Sequence, residues 1–506
     1  MSVISHYRWR VSIGMTLTFV ALILALVFTL SSRAITFANV TLTQISSDPY
    51  TNTTSYHATE VEPDTFSFGS TIVSTFQVGR FTNGGASNIG WATSPDGGTT
   101  WIHNFLPGIT KIQNPANPYD RDTDSSVAFD ARHNTWMISS LPLNQTSSGG
   151  IVGAAVVVSL STNGGTTWGN PVTVKAVTAG QDFDKNWTVC DNTSTSPHYG
   201  NCYTEWDDFG HNNQLHMATS SDGGLTWTEG TVPPAIVIGG QPVVQPNGTV
   251  IVPIDNGLET TIESFVSTDG GASYSRHFLI SNLKFHPEAG NLRSSPLPSA
   301  EIDGAGKVYV VWADCRFERA CTANDIVMST STDGTNWSAV TRIPIDAVGS
   351  GVDHFIPGLT VNKATSGSSA HLGLTYYFYP SASCTTSTCQ LDVGFISSTN
   401  GGSTWSTPTM ITGPMTLTAL PLTTQGYMVG DYISTSFNNS DTAHGVFAVG
   451  NTVPGKTCTL GDITSCKEAM YTNTGGLALV GGSHTSIGDV VVVSSAPVSS
   501  ILRTSR

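Results

Sequence analysis

The stretch Ser94-Pro95-Asp96-Gly97-Gly98-Thr99-Thr100-Trp101 decides how the rest of the chain is read, because near-copies of it follow at five further places. They are STNGGTTW at 161–168, SSDGGLTW at 220–227, STDGGASY at 267–274, the one-residue-shorter STDGTNW at 331–337, and STNGGSTW at 398–405. Each copy reads as a hairpin corner. Its Asp or Asn bonds the backbone two residues on, its Gly accepts the positive φ of the turn, and the closing aromatic packs beside it. The copies begin 47 to 67 residues apart, the length of a small sheet that cannot bury its faces without neighbours.

Working outward, strands between corners are marked by alternation and β-branched content. The fifth repeat offers an inner strand at 298–303, then strands at 307–312, 326–332 and 338–343. After the last corner three strands remain, at 432–437, 444–449 and 468–473, with no corner and no fourth strand. An isolated strand at 40–45 can supply the fourth, closing a ring between the two ends of the chain. The expectation is an all-β, seven-bladed β-propeller, with six blades as the alternative, over residues 35–480.

Composition agrees. Only 11% of residues are charged and 51 are Gly, which suits short strands and tight turns and leaves little material for long helices. A net charge of −15 with only 21 Lys and Arg excludes a nucleic-acid surface and favours a neutral or cationic partner. From 11 to 30 an uncharged apolar run follows Arg8 and Arg10. It fits one N-terminal transmembrane helix with an extracytoplasmic domain behind it, the membrane being a partner through that helix. The alternative is a cleaved signal ending at Ser32-Arg33-Ala34 and a secreted protein. Residues 1–34 are thus a cytoplasmic stub with anchor or signal, and 481–506 a C-terminal tail. All eight cysteines fall into close pairs, Cys190 with Cys202, Cys315 with Cys321, Cys384 with Cys389 and Cys458 with Cys466. Four short-range disulfides formed after export follow.

With its six corners the sequence resembles the Asp-box (BNR repeat) propellers, whose best-known enzymes are sialidases, over roughly residues 40–475. The resemblance implies fold more than activity, since such corners occur in glycosidases, receptors and assembly factors alike. A sialidase would bring a Tyr nucleophile, an Asp acid/base and three Arg that hold the substrate carboxylate. The family's Arg-Ile-Pro motif appears as Arg342-Ile343-Pro344, but after the fifth corner instead of before the first. Family sialidases have six blades, a second departure.

In a propeller the loops leading into each inner strand share one face with the loops between second and third strands, and ligands meet that face. It collects Glu60 and Glu62, Asp120, Asp122 and Asp124 (YDRDTD), Asp182, Asp184 and Lys185 (DFDKNW), Asp207 and Asp208 (TEWDD), Asp255, Arg293, Asp314 and Arg316 (WADCR), Asp353, His354, Asp431 and Tyr432 (GDY). By resemblance Tyr432 is the nucleophile, Asp122 or Asp184 the acid/base, and Arg293 and Arg316 the carboxylate holders. Asp314, Lys185, Asp207, Asp431 and His354 complete the substrate-binding set, although Asp314 with Arg316 also reads as a loop brace. Asp120, Asp122 and Asp124 alternate like a cation loop; Ca²⁺ is the ion they would suit, and no cofactor is required. The function expected is an exo-glycosidase acting on glycans. The alternative is a non-catalytic surface propeller binding a carbohydrate or protein ligand on its central face.

Overall fold

The computed structural model describes residues 40–488. They are all-β, with helix confined to three-residue 3-10 turns. The apolar run at 11–30 lies outside the described residues. Within them no helix is long and apolar enough to cross a membrane.

Among the described residues, antiparallel units of four main strands can be traced one after another along the chain, the first two within one nine-stranded sheet. The fifth is representative: Ser299–Ile302, Val308–Asp314, Asp325–Ser331 and Thr341–Arg342, each paired with the next. The innermost strands of the others are Glu60–Phe68, Arg121–Asp130, Phe183–Cys190, Val243–Val244, Asp353–Val361 and Ser434–Phe437. In the fourth unit Val237–Ile238 pairs beside the innermost strand on the same neighbour. The first two units are also joined by one pairing, Ala86 opposite Asp122. The seventh unit takes its outer strand from the other end of the chain, with Leu42–Gln44 against Glu468–Asn473 and Leu42 opposite Asn473. The strand expected at 40–45 therefore closes the last unit. Residues expected in a C-terminal tail also add edge strands: His484–Thr485 pairs with Thr404–Trp405, and Ile487–Gly488 with Thr341–Arg342.

The corners explain why the units stack. In the first, the Ser94 hydroxyl donates to Asp96 Oδ1 (2.9 Å) and accepts from the Gly98 N–H (2.8 Å), while Asp96 accepts the N–H of Thr100 (2.8 Å). The carboxylate thus reaches four residues ahead, a correction to the two-residue reach read from the sequence. Asp222, Asp269 and Asn400 do the same, while Asp333 in the shorter copy accepts the N–H groups two and three residues on, so the expected two-residue reach holds there. Trp101, Trp227, Trp337 and Trp405 donate their indole N–H back to a corner carbonyl. The second Gly of each corner, and the single Gly334 of the shorter copy, is required by close approach. A Cβ there would lie 2.6 to 2.8 Å from Val73 at Gly165, Leu160 at Gly224, Ile251 at Gly334 and Met328 at Gly402, and would collide with Tyr203 at Gly271. Each of these neighbours belongs to the preceding unit. Gly98, in the first corner, packs on His444 of the seventh unit, so the contact order runs round and returns to its start.

Inner strands repeat that circuit: each touches the next, and Ser434–Phe437 touches Glu60–Phe68. A cavity of about 580 Å³ is lined by segments of all seven, among them Asp64, Val127, Thr188, Gln241, Glu301, Thr360 and Ser436. The core lies between units, not within one. Trp312 of the fifth packs with Ile251 of the fourth, and Phe183 and Trp206 of the third with Leu141 and Val156 of the second. The four expected disulfides are present, which fits a protein matured in an oxidising compartment.

Candidate functional site

At the end opposite the corners, four inner strands break their ladder within their first four residues. Register shifts fall between Val61 and Asp64, Thr123 and Ser126, Asp184 and Trp187, and Phe355 and Gly358. In each an extra residue takes the left-handed conformation, namely Glu62 (φ 55°), Asp124 (φ 47°), Lys185 (φ 43°) and Ile356 (φ 49°). A bulge of this kind re-aims the side chains around it. Non-glycine residues hold such a conformation only when their surroundings impose it.

The re-aimed side chains meet. Arg293, on the segment leading to the fifth inner strand, is gripped by Asp431: its Nε donates to Oδ1 (2.7 Å) and its Nη2 to Oδ2. The Asp431 N–H donates to Glu62 Oε1 (3.2 Å), and Gln77 donates to Glu62 Oε2. Behind them Arg80 is buried, donating to Gln77 Oε1 and Gly85 O, both at 3.0 Å. Lys185 places its ammonium 3.3 Å from the centre of the Tyr432 ring, a cation–π contact, and Trp187 meets that ring edge-on at 5.2 Å. Asp184 stands exposed to solvent beside this group. Glu205 and Asp207 lie buried one strand further out, Asp207 with no hydrogen-bond partner and Glu205 beside the Gly240 backbone N–H.

Proton affinities diverge across the cluster. Removal from bulk water raises Asp184, and the negative charge of Asp124 raises it further. Asp184 is thus reached by water yet hemmed in by protein. Burial opposes the charge on Asp431 too, but Arg293 outweighs it and holds that carboxyl below the ordinary range. Burial lifts Glu205 and Asp207 well above theirs, with Asp184 adding to the rise at Asp207. Burial also lifts the Tyr432 phenol, with Asp124 and Glu62 adding to it.

Several residues expected here behave otherwise. Tyr432, expected as the nucleophile, is only 4% exposed, its hydroxyl reaches Ser125 O at 3.4 Å, and burial raises its phenol. Asp122 is fully buried, its carboxylate accepting the Ser140 hydroxyl (2.9 Å) and the Thr123 N–H (3.0 Å). The cation loop does not assemble. Asp120 pairs with Lys111 (2.8 Å) at the surface, Asp122 turns into its sheet, and the bulge sends Asp124 elsewhere. Arg316 braces its own loop, its Nε on Asp314 Oδ1 (2.9 Å) and its Nη2 on Asp314 Oδ2 (2.7 Å) and Ser281 (2.9 Å). His354 is buried against Tyr376 and Phe378. Arg342 of the Arg-Ile-Pro stretch is buried between Asp325 (2.7 Å) and Asp346. Asp325, Asp346 and His354 are, among the described residues, the one set close enough to share a metal ion, and the guanidinium already supplies the positive charge there. Glu205 and Arg80 were missed by sequence reading. Glu205 sat inside the quoted TEWDD; Arg80 carried no signal beyond its charge.

No family model matches the chain, and no curated protein matches it. Solved structures with a similar course include several sialidases, all at low identity. A leech intramolecular trans-sialidase complexed with 2,7-anhydro-Neu5Ac is 11% identical, over 66% of this chain and 67% of its own, with a TM-score of 0.44. A Trypanosoma rangeli sialidase in complex with sialic acid is 14% identical with a TM-score of 0.42, over 72% of this chain, which spans 59% of that enzyme's length. A PL25 ulvan lyase bound to -[GlcA(1-4)Rha3S]- is 10% identical, over 88% of this chain and 97% of its own, with a TM-score of 0.49.

Proposed function

We propose that residues 35–480 form an extracytoplasmic seven-bladed β-propeller of the Asp-box, sialidase-like kind that cleaves glycans at the open end of its axis. The seven inner strands in contact order and the corner glycines seated on preceding units support the architecture. The chemistry rests on one arrangement: two carboxyls share that end, Asp184 exposed, with its proton affinity raised by burial and by Asp124, and Asp431 gripped by Arg293, which lowers its own. Such a divergence assigns acid and anion in glycoside hydrolysis. Asp184 donates its proton to the leaving glycosidic oxygen. Asp431, oriented by Arg293, faces the positive charge that develops at the anomeric carbon; water adds to that carbon and gives up a proton to the Asp184 carboxylate left by the first transfer, which restores the acid and completes the hydrolysis.

This departs from sialidase chemistry in two ways. The Tyr432 phenol is not activated, and of the two nearby arginines one is buried while the other is committed to Asp431. Neutral or cationic glycans therefore suit the opening better than sialosides. The second reading, a propeller that binds a glycan without cleaving it, is favoured by Lys185 capping Tyr432. The test is hydrolysis of a panel of 4-methylumbelliferyl glycosides, sialoside included, by wild type and Asp184→Asn. Turnover of a neutral glycoside that is lost in the variant supports the proposal. Turnover of the sialoside alone restores a sialidase, and silence on every glycoside leaves the binding reading.

A further inference from the structure

Away from the axis, a cleft of about 660 Å³ opens between the segment joining the first two units and the outer strands of the second. No Asp, Glu, Lys or Arg lines it, although the protein carries a net charge of −15. Its lining is mostly amide and proline, with Val157, Thr173 and one aromatic, Tyr119.

The cleft wall is built before any ligand arrives. Lys111 donates its N–H to Tyr119 O (2.7 Å) and Asn114 donates its own to Thr110 O (3.1 Å). The side-chain amide of Gln113 donates to Leu106 O (2.9 Å) and that of Asn117 to Thr110 O (3.0 Å). Gly108 lets Asn170 approach from the second unit, since a Cβ there would lie 2.6 Å from Asn170 Oδ1. These contacts fix the frame and leave several groups over. Among the described residues, Asn114 Nδ2, Asn117 Oδ1, both ends of the Asn170 amide and the Tyr119 hydroxyl have no hydrogen-bond partner. Asn114 and Asn170 are exposed and Tyr119 is half-buried. Donors and acceptors are thus mixed in a rigid frame, next to the flat C–H faces of Pro118, Pro171 and the Tyr119 ring.

We infer that this cleft is a second carbohydrate site, taking two or three residues of an uncharged oligosaccharide. Sugar hydroxyls are donors and acceptors together, as the free amides are, while a sugar's C–H face packs on an aromatic ring or a proline. A charged glycan or nucleotide would find no counter-charge. An acidic or basic peptide is disfavoured for the same reason. The site stands independently of catalysis at the axis and would hold a polymer near it.

The test uses the purified full chain with cellohexaose, laminarihexaose and mannohexaose in calorimetric titrations. At least one is expected to bind, and Asn170→Arg, which puts a long charged side chain into the cleft from an exposed position, weakens it by about tenfold or more. Asn114→Ala, a smaller change, serves where the Arg variant melts early, and is expected to weaken binding about threefold. Asp184→Asn leaves this binding unchanged, which separates failure here from failure of the axial reading. Absence of binding by all three oligosaccharides overturns the inference. So does binding that ignores both cleft variants or disappears with Asp184→Asn.

Discussion

The open ends of the third and fifth units look alike in sequence and behave oppositely. TEWDD and WADCR each place an acid beside a tryptophan at the end of a second strand. In the fifth unit Asp314 accepts the Trp312 indole N–H (3.2 Å) and the Arg316 guanidinium, so its charge is answered inside its own loop. In the third unit Asp207 and Glu205 are as deeply buried but have no side-chain hydrogen bond or ion pair, and the Trp206 indole N–H has no partner either. An acid at a strand end is therefore scaffold where an arginine follows two residues on. Where none does, its cost is borne by the fold, and Asp184 and Asp431 lie on that unsatisfied side.

The largest effect that sharpens this contrast is catalytic. Asp184→Asn should lower kcat by about 100-fold or more, the ordinary contribution of a positioned proton donor, whereas Asp314→Asn should leave kcat near wild type, as measured on the best glycoside of the panel. Next comes stability in the fifth unit. Arg316→Ala strands a fully buried Asp314 and should cost about 3 kcal/mol in urea unfolding. An unchanged unfolding midpoint would break the comparison.

The third unit should respond with the opposite sign. Burial raises the folded-state pKa of Glu205 and Asp207. The folded chain therefore binds more protons than the unfolded chain once pH passes the ordinary carboxylate range, and stability falls as pH rises from there toward the raised values. Glu205→Gln removes the Glu205 share of that slope and leaves the Asp207 share. It should be nearly neutral at pH 4 and stabilising by about 1 kcal/mol at pH 8, as read from unfolding curves at both values.

How much of this was legible in the sequence divides along the same line. Corner chemistry is local, so six copies could be read directly, and even the ring-closing strand at 40–45 could be paired with the last unit. What the sequence did not reveal was the bulges. Strand alternation places Asp120, Asp122 and Asp124 on one face, but the left-handed Asp124 breaks the period, and three supposed ligands part company. Position could be read for Asp431 and Arg293 but not their bidentate grip, which joins residues 138 apart in sequence. Nor could the sequence reveal the Lys185 ammonium lying across the Tyr432 ring, a contact between residues far apart in the chain.

The smallest predicted effect belongs to the corners. Asp222→Ala removes bonds to Leu225, Thr226 and Ser220 that face solvent and should cost about 0.5 to 1 kcal/mol. Thermal melts should show the same small loss for the equivalent change at Asp96, because all the corners do one job. A loss of glycosidase activity with intact melting would instead place a corner in the site.

The most direct test of the central claim is the pH dependence of kcat/KM on the best neutral glycoside, in wild type and Asp184→Asn. Wild type should give a bell, its acid limb set by Asp431 below the usual carboxylate range and its basic limb by Asp184 above it. Residual activity of the variant should lose the basic limb and keep the acid one. A variant that retains the full bell would show that the proton comes from another group, and the assignment of the open end would fail with it.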